Sequence, residues 1–179
     1  MDCIVHIGLH KTATTSFQNF LFNETIFLEK IGIIYPKSIL DMPSKQHSSL
    51  PGCFFNYHPA LPINRDRNYN NYIERLKDEI NCSNMELCII SSEVFNELID
   101  KSQKEVNLII TGLNKIFNKV YIFISTRDPF ERSLSMFKHK IRRSHSIEEF
   151  RKEYFDAPKL FANKVRGCQK SIQKWEEIS

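Results

Sequence analysis

"CIVHIGLHKTATTSFQ" (residues 3–18) runs from an apolar segment into a loop that is rich in hydroxyl side chains. Its first part, residues 3–9, is apolar on both faces and rich in β-branched residues, which is typical of a buried parallel strand. After the loop, apolar side chains return at helical spacing, at Phe17, Phe20, Leu21 and Leu28. A buried strand that turns through a glycine loop into a helix indicates an α/β protein with a ligand site at that junction.

The alternation of strand and helix continues through the rest of the chain. Further strands are predicted at residues 31–36, 86–91 and 119–126. Helical patterns lie between these strands, and three more apolar stripes at helical spacing follow residue 129. This rhythm predicts one α/β domain over residues 1–179, with a central parallel β-sheet flanked by helices in three layers.

Composition and charge narrow the possible classes. The chain has 179 residues, of which 41% are hydrophobic and 26% charged, as in one soluble globular domain. Its net charge of +4 suits a small anionic ligand better than a nucleic acid. No apolar run approaches the roughly 20 residues of a membrane span. Neither the five cysteines nor the histidines show metal-binding spacing, so we expect buried thiols, no metal, and a cytoplasmic protein without a membrane partner.

The loop "GLHKTATTS" (8–16) has the composition of a phosphate-binding loop. In the Walker A loop a lysine follows a second glycine, but here Lys11 comes three residues after Gly8, and Ala13 and Thr14 occupy those two positions. Nucleotide hydrolysis is therefore disfavoured. A phosphate can still be bound by backbone N–H groups together with Lys11 and the hydroxyls of Thr12, Thr14, Thr15 and Ser16. The alternative is a threonine-rich helix cap with a surface lysine.

A second junction of the same kind follows the last predicted strand, in "ISTRDPFERSLSMF" (124–137). The strand delivers Arg127 to its carboxyl end. Asp128 predicts an N-cap and Pro129 the first residue of a helix. Arg127 and Ser135 can together bind a second phosphate, because a guanidinium donates two hydrogen bonds to one anion. The alternative is that Arg127 pairs with a nearby carboxylate and Ser135 is ordinary surface.

Taken together, the two junctions resemble the sulfotransferase family that uses 3′-phosphoadenosine-5′-phosphosulfate (PAPS). In that family a lysine followed by small and threonine residues holds the 5′-phosphosulfate, and an arginine with a serine eight residues later holds the 3′-phosphate. "KTATTS" and "RDPFERSLS" match these signatures. The resemblance implies a P-loop-NTPase-like sulfotransferase fold, PAPS as co-substrate and no metal. It also implies a cofactor-binding set consisting of Lys11, Thr12, Ala13, Thr14, Thr15, Ser16, Arg127 and Ser135.

The resemblance extends to the polysaccharide-type bacterial members of the family. "KQHSSL" (45–50) is similar to a histidine-bearing loop of that group, and "IISSEVF" (89–95) to one of its strand ends. This implies a hydroxyl or amine acceptor group on a carbohydrate, Lys11 as the residue that stabilises the leaving group, and either Glu93 or His47 as the base. We expect His47 to lie in a functional flap, because residues 41–68 contain several prolines and form a long connection.

Two departures from the family leave alternatives open. Ala13 stands where many members have glycine, and the chain ends at Ser179, where members usually continue into a further strand and helices. We therefore expect a domain that lacks the family's C-terminal part. One alternative is a truncated, non-catalytic domain that binds a nucleotide or glycan. The other is a P-loop-type kinase, which the displaced Lys11 disfavours.

Overall fold

A computed structural model of the protein describes residues 1–9, 12–42, 44–58, 61, 65–143, 146, 148 and 169–178. In chain order its elements are β1 (Asp2–Gly8), α1 (Thr14–Asn23), α2 (Thr25–Lys30), β2 (Ile33–Ile34), α3 (Ser49–Gly52), α4 (Tyr69–Asn81), β3 (Leu87–Ser91), α5 (Val94–Lys101), α6 (Gln103–Leu113), β4 (Val120–Ser125) and α7 (Pro129–Arg143). Residues 169–176 are also helical. Most of the region where the last two predicted stripes begin, 144–168, lies outside the described residues.

The four strands form one parallel sheet in the order β2-β3-β1-β4. β1 is central: its Val5 lies opposite Ile90 of β3 and opposite Ile122 of β4. The predicted α/β class and parallel sheet are confirmed. The second strand is shorter than predicted, because Gly32 turns the chain with a φ of 80° just before it and Pro36, soon after it, has no N–H to donate to a neighbour.

Helices cover both faces of the sheet. Successive side chains of a strand point to opposite faces, so Cys88 and Ile90 belong to one core cluster and Ile89 to another. The larger cluster joins the sheet to α4, α5, α6 and the buried Trp175. The smaller one joins it to Leu21 of α1 and Leu28 of α2. This is the three-layer arrangement that the alternating pattern predicts.

Part of the predicted flap belongs to the core instead. Every residue of α3 is buried, and Leu50 packs in the larger cluster with no exposed surface. The Asp41 carboxylate holds the start of α3, where it accepts hydrogen bonds from the backbone N–H of Ser49, at 2.6 Å, and from the Ser49 hydroxyl. The flap expectation is therefore wrong for residues 47–53. Residues 43, 59, 60 and 62–64 lie outside the described part.

The thiols follow the expected pattern except at one position. Cys3, Cys53 and Cys88 are buried, whereas Cys82 at the end of α4 is exposed, and all four are unpaired thiols. Cys168 lies outside the described residues. Within the described part of the chain, no helix has the length and apolar character needed to cross a bilayer.

Candidate active site

The site is built where three neighbouring strands end. β3, β1 and β4 are adjacent and parallel, so their carboxyl ends lie at one edge of the sheet. Gly8 of β1 lies opposite Ser125 of β4, and His6 lies opposite Ser91 of β3. Because neighbouring strands are about 4.8 Å apart, the segments that leave these strands begin side by side. Each of the three segments enters a helix: α1, α5 or α7.

The loop after β1 is fastened to β4 and to itself. Leu9 donates its backbone N–H to the Ser125 carbonyl at 3.4 Å. The Thr12 hydroxyl donates to the Leu9 carbonyl at 2.6 Å, which closes the loop on itself. The predicted catalytic Lys11 and its neighbour His10 lie outside the described residues. Leu9 and Thr12 are the described residues on either side of them.

Ala13 turns the loop into α1. Its φ of 64° and ψ of 21° place it in the left-handed region, which a glycine adopts without strain. Its carbonyl accepts hydrogen bonds from the N–H groups of Ser16 and Phe17, at 3.1 and 3.2 Å, so the helix starts immediately after it. Alanine tolerates this conformation at a small cost, whereas a β-branched residue does not.

We predict that Ala13→Val lowers the free energy of unfolding by more than about 1 kcal/mol, because valine would have to adopt the left-handed conformation. Ala13→Gly should leave stability unchanged or raise it by up to about 1 kcal/mol, since relief of strain is offset by the greater freedom of glycine in the unfolded chain. Urea denaturation measures both. The control is Thr15→Val, at an exposed helical position, with an effect below about 0.5 kcal/mol. Equal stability of Ala13→Val and the parent would contradict the strain argument.

The start of α1 packs closely against β1 and β3. Only glycine fits at position 8, because the Thr14 methyl group occupies the place where a Cβ would lie. Thr14 is buried, and its hydroxyl donates a hydrogen bond to the Glu93 carboxylate. Thr15 and Ser16 are exposed in the first turn, where the N–H groups and the positive dipole end of a helix attract an anion. Of the four predicted hydroxyls, that of Thr12 bonds to the loop, that of Thr14 faces Glu93, and those of Thr15 and Ser16 face outward.

Glu93 stands at the entrance of α5, two residues beyond the end of β3. Its side chain is partly buried, and its Cγ lies 3.5 Å from the place where a Cβ of Gly8 would be. The hydrogen bond from Thr14 therefore joins one predicted base directly to the helix that begins at the predicted phosphate loop. The structure brings these predicted site residues together.

The other predicted base, His47, lies in a different environment from the one expected. It is fully buried. Its Nδ1 accepts a hydrogen bond from the backbone N–H of Ser91 at 3.0 Å, so the proton is on Nε2, which donates to the Pro36 carbonyl at 2.8 Å. Burial lowers the pKa of His47 to about 4. Both nitrogens are thus engaged with the backbone, and His47 ties β3 to the segment before α3.

The second junction has the predicted cap. Asp128 accepts the backbone N–H of Glu131 with its Oδ1 at 2.9 Å, and α7 begins at the next residue, Pro129. Arg127 is exposed and donates to the Glu131 carboxylate at 3.1 Å, which is the carboxylate pairing raised as an alternative. An exposed pair of this spacing contributes only about 0.3–0.5 kcal/mol. Ser135 is partly buried further along α7.

A buried histidine that the sequence argument did not single out connects the three strands. His6 of β1 lies between the hydroxyl of Ser91, 2.8 Å from its Nδ1, and that of Ser125, 3.1 Å from its Nε2. The Ser125 hydroxyl is in turn 3.1 Å from the hydroxyl of Thr12. Burial lowers the pKa of His6 to about 4, against a smaller opposing effect of the Glu93 charge. A sequence signal for this cluster does exist, since a lone polar residue interrupts an apolar strand and two other strands end in serine.

We predict that acidification destabilises the protein through His6 and His47. Their pKa values in the folded state, about 4, lie below the unfolded value near 6.5, so the unfolded chain takes up protons first. Stability is then fully present above about pH 6.5 and is lost as the pH falls towards 4. Each histidine contributes a slope of up to about 1.4 kcal/mol per pH unit. Urea denaturation between about pH 7 and pH 5 measures it, and His6→Gln should remove about half of the slope. A flat profile would contradict both assignments.

Among the described residues, no group of three or more histidine, cysteine, aspartate or glutamate side chains is arranged to hold a metal ion. The arrangement that is present consists of two strand-to-helix junctions next to each other, with a carboxylate bonded to the first. This is the place at which α/β proteins with a parallel sheet bind their ligands, at the carboxyl edge of the strands.

Comparison with protein families gives the class a name. The model of the sulfotransferase family matches residues 2–177, so the chain belongs to the sulfotransferase family. It is therefore a PAPS-dependent transferase, and the family implies PAPS as the co-substrate. No curated protein and no solved structure matches the chain significantly.

Proposed function

We propose that the protein transfers the sulfuryl group of PAPS to a hydroxyl group of a carbohydrate, with Glu93 as the general base. The family supplies the reaction class and the donor. The observation that supports the rest is the hydrogen bond from Thr14 to Glu93, which holds a carboxylate beside the start of α1. A base in that position can reach an acceptor hydroxyl that approaches the 5′-phosphosulfate.

Each junction has a separate task in this proposal. The loop after β1 and the first turn of α1 bind the 5′-phosphosulfate, and Lys11 neutralises the charge that develops on the leaving 5′-phosphate. Arg127 and Ser135 bind the 3′-phosphate. Glu93 takes the proton of the acceptor hydroxyl as its oxygen bonds to sulfur and the bond from sulfur to the 5′-phosphate oxygen breaks. The products are a sulfate ester and 3′-phosphoadenosine-5′-phosphate (PAP).

The proposal of a carbohydrate acceptor is supported by two segments that resemble polysaccharide-type members, 45–50 and 89–95. The two segments are hydrogen-bonded to each other at Ser91 and Ser92, the two residues that precede Glu93. The His47 N–H donates to the Ser91 carbonyl at 2.9 Å, and the hydroxyls of Ser48 and Ser92 are 3.0 Å apart. The resemblance therefore involves one continuous part of the fold that contains the proposed base.

We predict that Glu93→Gln lowers kcat for sulfuryl transfer by about 100-fold or more, because general base catalysis typically contributes about 10²–10⁴-fold. The affinity for PAP, measured by calorimetry, should change by less than about threefold, since glutamine still accepts the Thr14 hydrogen bond. The matched control is Glu97→Gln on the same helix, which removes the carboxylate that faces His58 at 2.7 Å. A Glu93→Gln enzyme with normal kcat would exclude Glu93 as the base.

We predict different defects at the two junctions. Lys11→Ala should abolish transfer of labelled sulfate to glycan acceptors. Arg127→Ala should mainly weaken PAP binding, by about tenfold or more, which corresponds to the loss of a hydrogen bond to a charged group. The control for Arg127 is Arg75→Ala, an exposed arginine of α4 that pairs with Asp66.

The same measurements separate the alternatives. Calorimetric titration of the parent with PAP, and with ATP plus magnesium, should show preference for PAP. Preference for ATP would refute the proposed function. PAP binding without transfer to any acceptor in a glycan panel would instead favour the non-catalytic domain. Parent-like behaviour of both Lys11→Ala and Arg127→Ala would show that the site residues are wrongly assigned.

A further inference from the structure

A chain of side-chain hydrogen bonds runs beneath the loop and crosses the three central strands. It starts at Gln18 of α1, whose Nε2 donates to the Ser91 hydroxyl oxygen at 3.0 Å. It continues through His6 to Ser125 and ends at Thr12 in the loop. Gln18, Ser91 and His6 are almost completely buried, so the chain occupies the interior and not the surface.

The proton positions on the loop side of this chain follow from simple counting. The Thr12 hydroxyl has one proton, which it donates to the Leu9 carbonyl. The 3.1 Å contact with Ser125 must then use the Ser125 proton, with Thr12 as acceptor. Ser125 has no second proton, so at its contact with His6 the donor is His6 Nε2.

The hydrogen bonds on the α1 side of His6 are consistent with the same tautomer, in which the proton is on Nε2. With the proton on Nε2, His6 Nδ1 is an acceptor, and the Ser91 hydroxyl donates to it. Ser91 then accepts the Gln18 amide proton at its oxygen. Every bond thus points from α1 towards the loop, and each hydroxyl donates once and accepts once. All of these hydrogen bonds can form at once when His6 is neutral and carries its proton on Nε2.

The imidazole is also fixed in orientation by its neighbours. The Phe17 ring of α1 meets it edge-on at 4.7 Å between centroids, and the Phe123 ring of β4 lies at 5.5 Å. Packing alone would be satisfied by an apolar side chain at this position. A histidine there carries the desolvation cost of burial, which is offset when both of its nitrogens are bonded.

We propose that His6 is a positioning residue for the donor site: through Ser125 it orients the Thr12 hydroxyl, which holds Thr12 to the Leu9 carbonyl just before α1. This inference rests on the proposed function, in which the loop after β1 receives the 5′-phosphosulfate. A loop fixed before the ligand arrives loses less conformational freedom on binding and presents its donors in place. His6 itself lies beneath the loop and acts through Ser125 and Thr12.

Three substitutions of His6 separate positioning from packing. Glutamine places an N–H donor at about the reach of Nε2 and preserves the bond to Ser125. Asparagine reaches only as far as Nδ1, so it can serve Ser91 but not Ser125. Phenylalanine fills the volume and serves neither. We expect PAP affinity, by calorimetry, to fall less than about threefold in His6→Gln and about tenfold or more in His6→Asn and His6→Phe.

A second test approaches the chain from its other end. Ser125 is only partly buried at the end of β4, so Ser125→Ala should fold. It should weaken PAP binding by about as much as His6→Phe, and the double variant should be no weaker than either single one, because both break the same chain. The matched control is Ser83→Ala, which removes a hydroxyl that donates to the Ile80 carbonyl at 2.9 Å at the end of α4. It should bind PAP normally.

A third measurement does not depend on the ligand. Nitrogen NMR of labelled histidine near neutral pH should show His6 as the Nε2–H tautomer, and Ser125→Ala should shift its Nε2 resonance. Observation of the Nδ1–H tautomer would overturn the proposal, as would parent-like PAP affinity in folded His6→Phe and Ser125→Ala. If the parent itself fails to bind PAP, the proposed function falls, and this inference with it. Normal binding by the parent and by every variant refutes this inference alone.

Discussion

The site depends on the position of β1 between β3 and β4. Parallel pairing on both sides places three carboxyl ends at one edge, and the helices α1, α5 and α7 begin from there. Their N-terminal ends bring backbone N–H groups and positive dipole ends to the same region, before any side chain is considered. The register matters as much as the order, since a slip of one residue would turn His6 into the larger core and Val5 towards α1. Strand pairing therefore determines both where an anion can bind and what lies beneath it.

β1 has two faces with different tasks. Cys3, Val5 and Ile7 pack in the larger cluster and contribute hydrophobic stability. His6 points to the opposite face, towards α1, and carries the polar chain. Because Ser91 and Ser125 sit at strand ends, the positions of their hydroxyls are set by the backbone hydrogen bonds of the sheet. A loop that is hydrogen-bonded to these strand ends is held more tightly than its own small and hydroxyl-bearing residues would allow.

The sequence was informative where local signals and burial agree. The β-branched runs predict β1, β3 and β4, and Asp128 followed by Pro129 predicts the start of α7, because these features act through the backbone nearby. It was misleading at residues 47–53, where prolines suggest an open connection but Leu50 supplies core volume that only the folded chain reveals. His6 bonds to serines 85 and 119 residues away, and His47 accepts a hydrogen bond from a residue 44 positions away. No local pattern distinguishes a histidine that exchanges protons from one that ties strands together.

The second junction shows how a cation can be held beside the start of a helix. Arg127 pairs with Glu131 one turn into α7, beside a helix end whose positive dipole opposes a nearby cation. The carboxylate therefore compensates a charge that would otherwise be repelled. In the proposed function a 3′-phosphate replaces Glu131 as the partner. The exchange favours the phosphate, because it carries more negative charge and offers more acceptor oxygens, while the pair that it displaces is exposed and contributes only about 0.3–0.5 kcal/mol. Under the proposed function, this weak, exposed pair would keep the guanidinium at the strand end and would compete little with the 3′-phosphate.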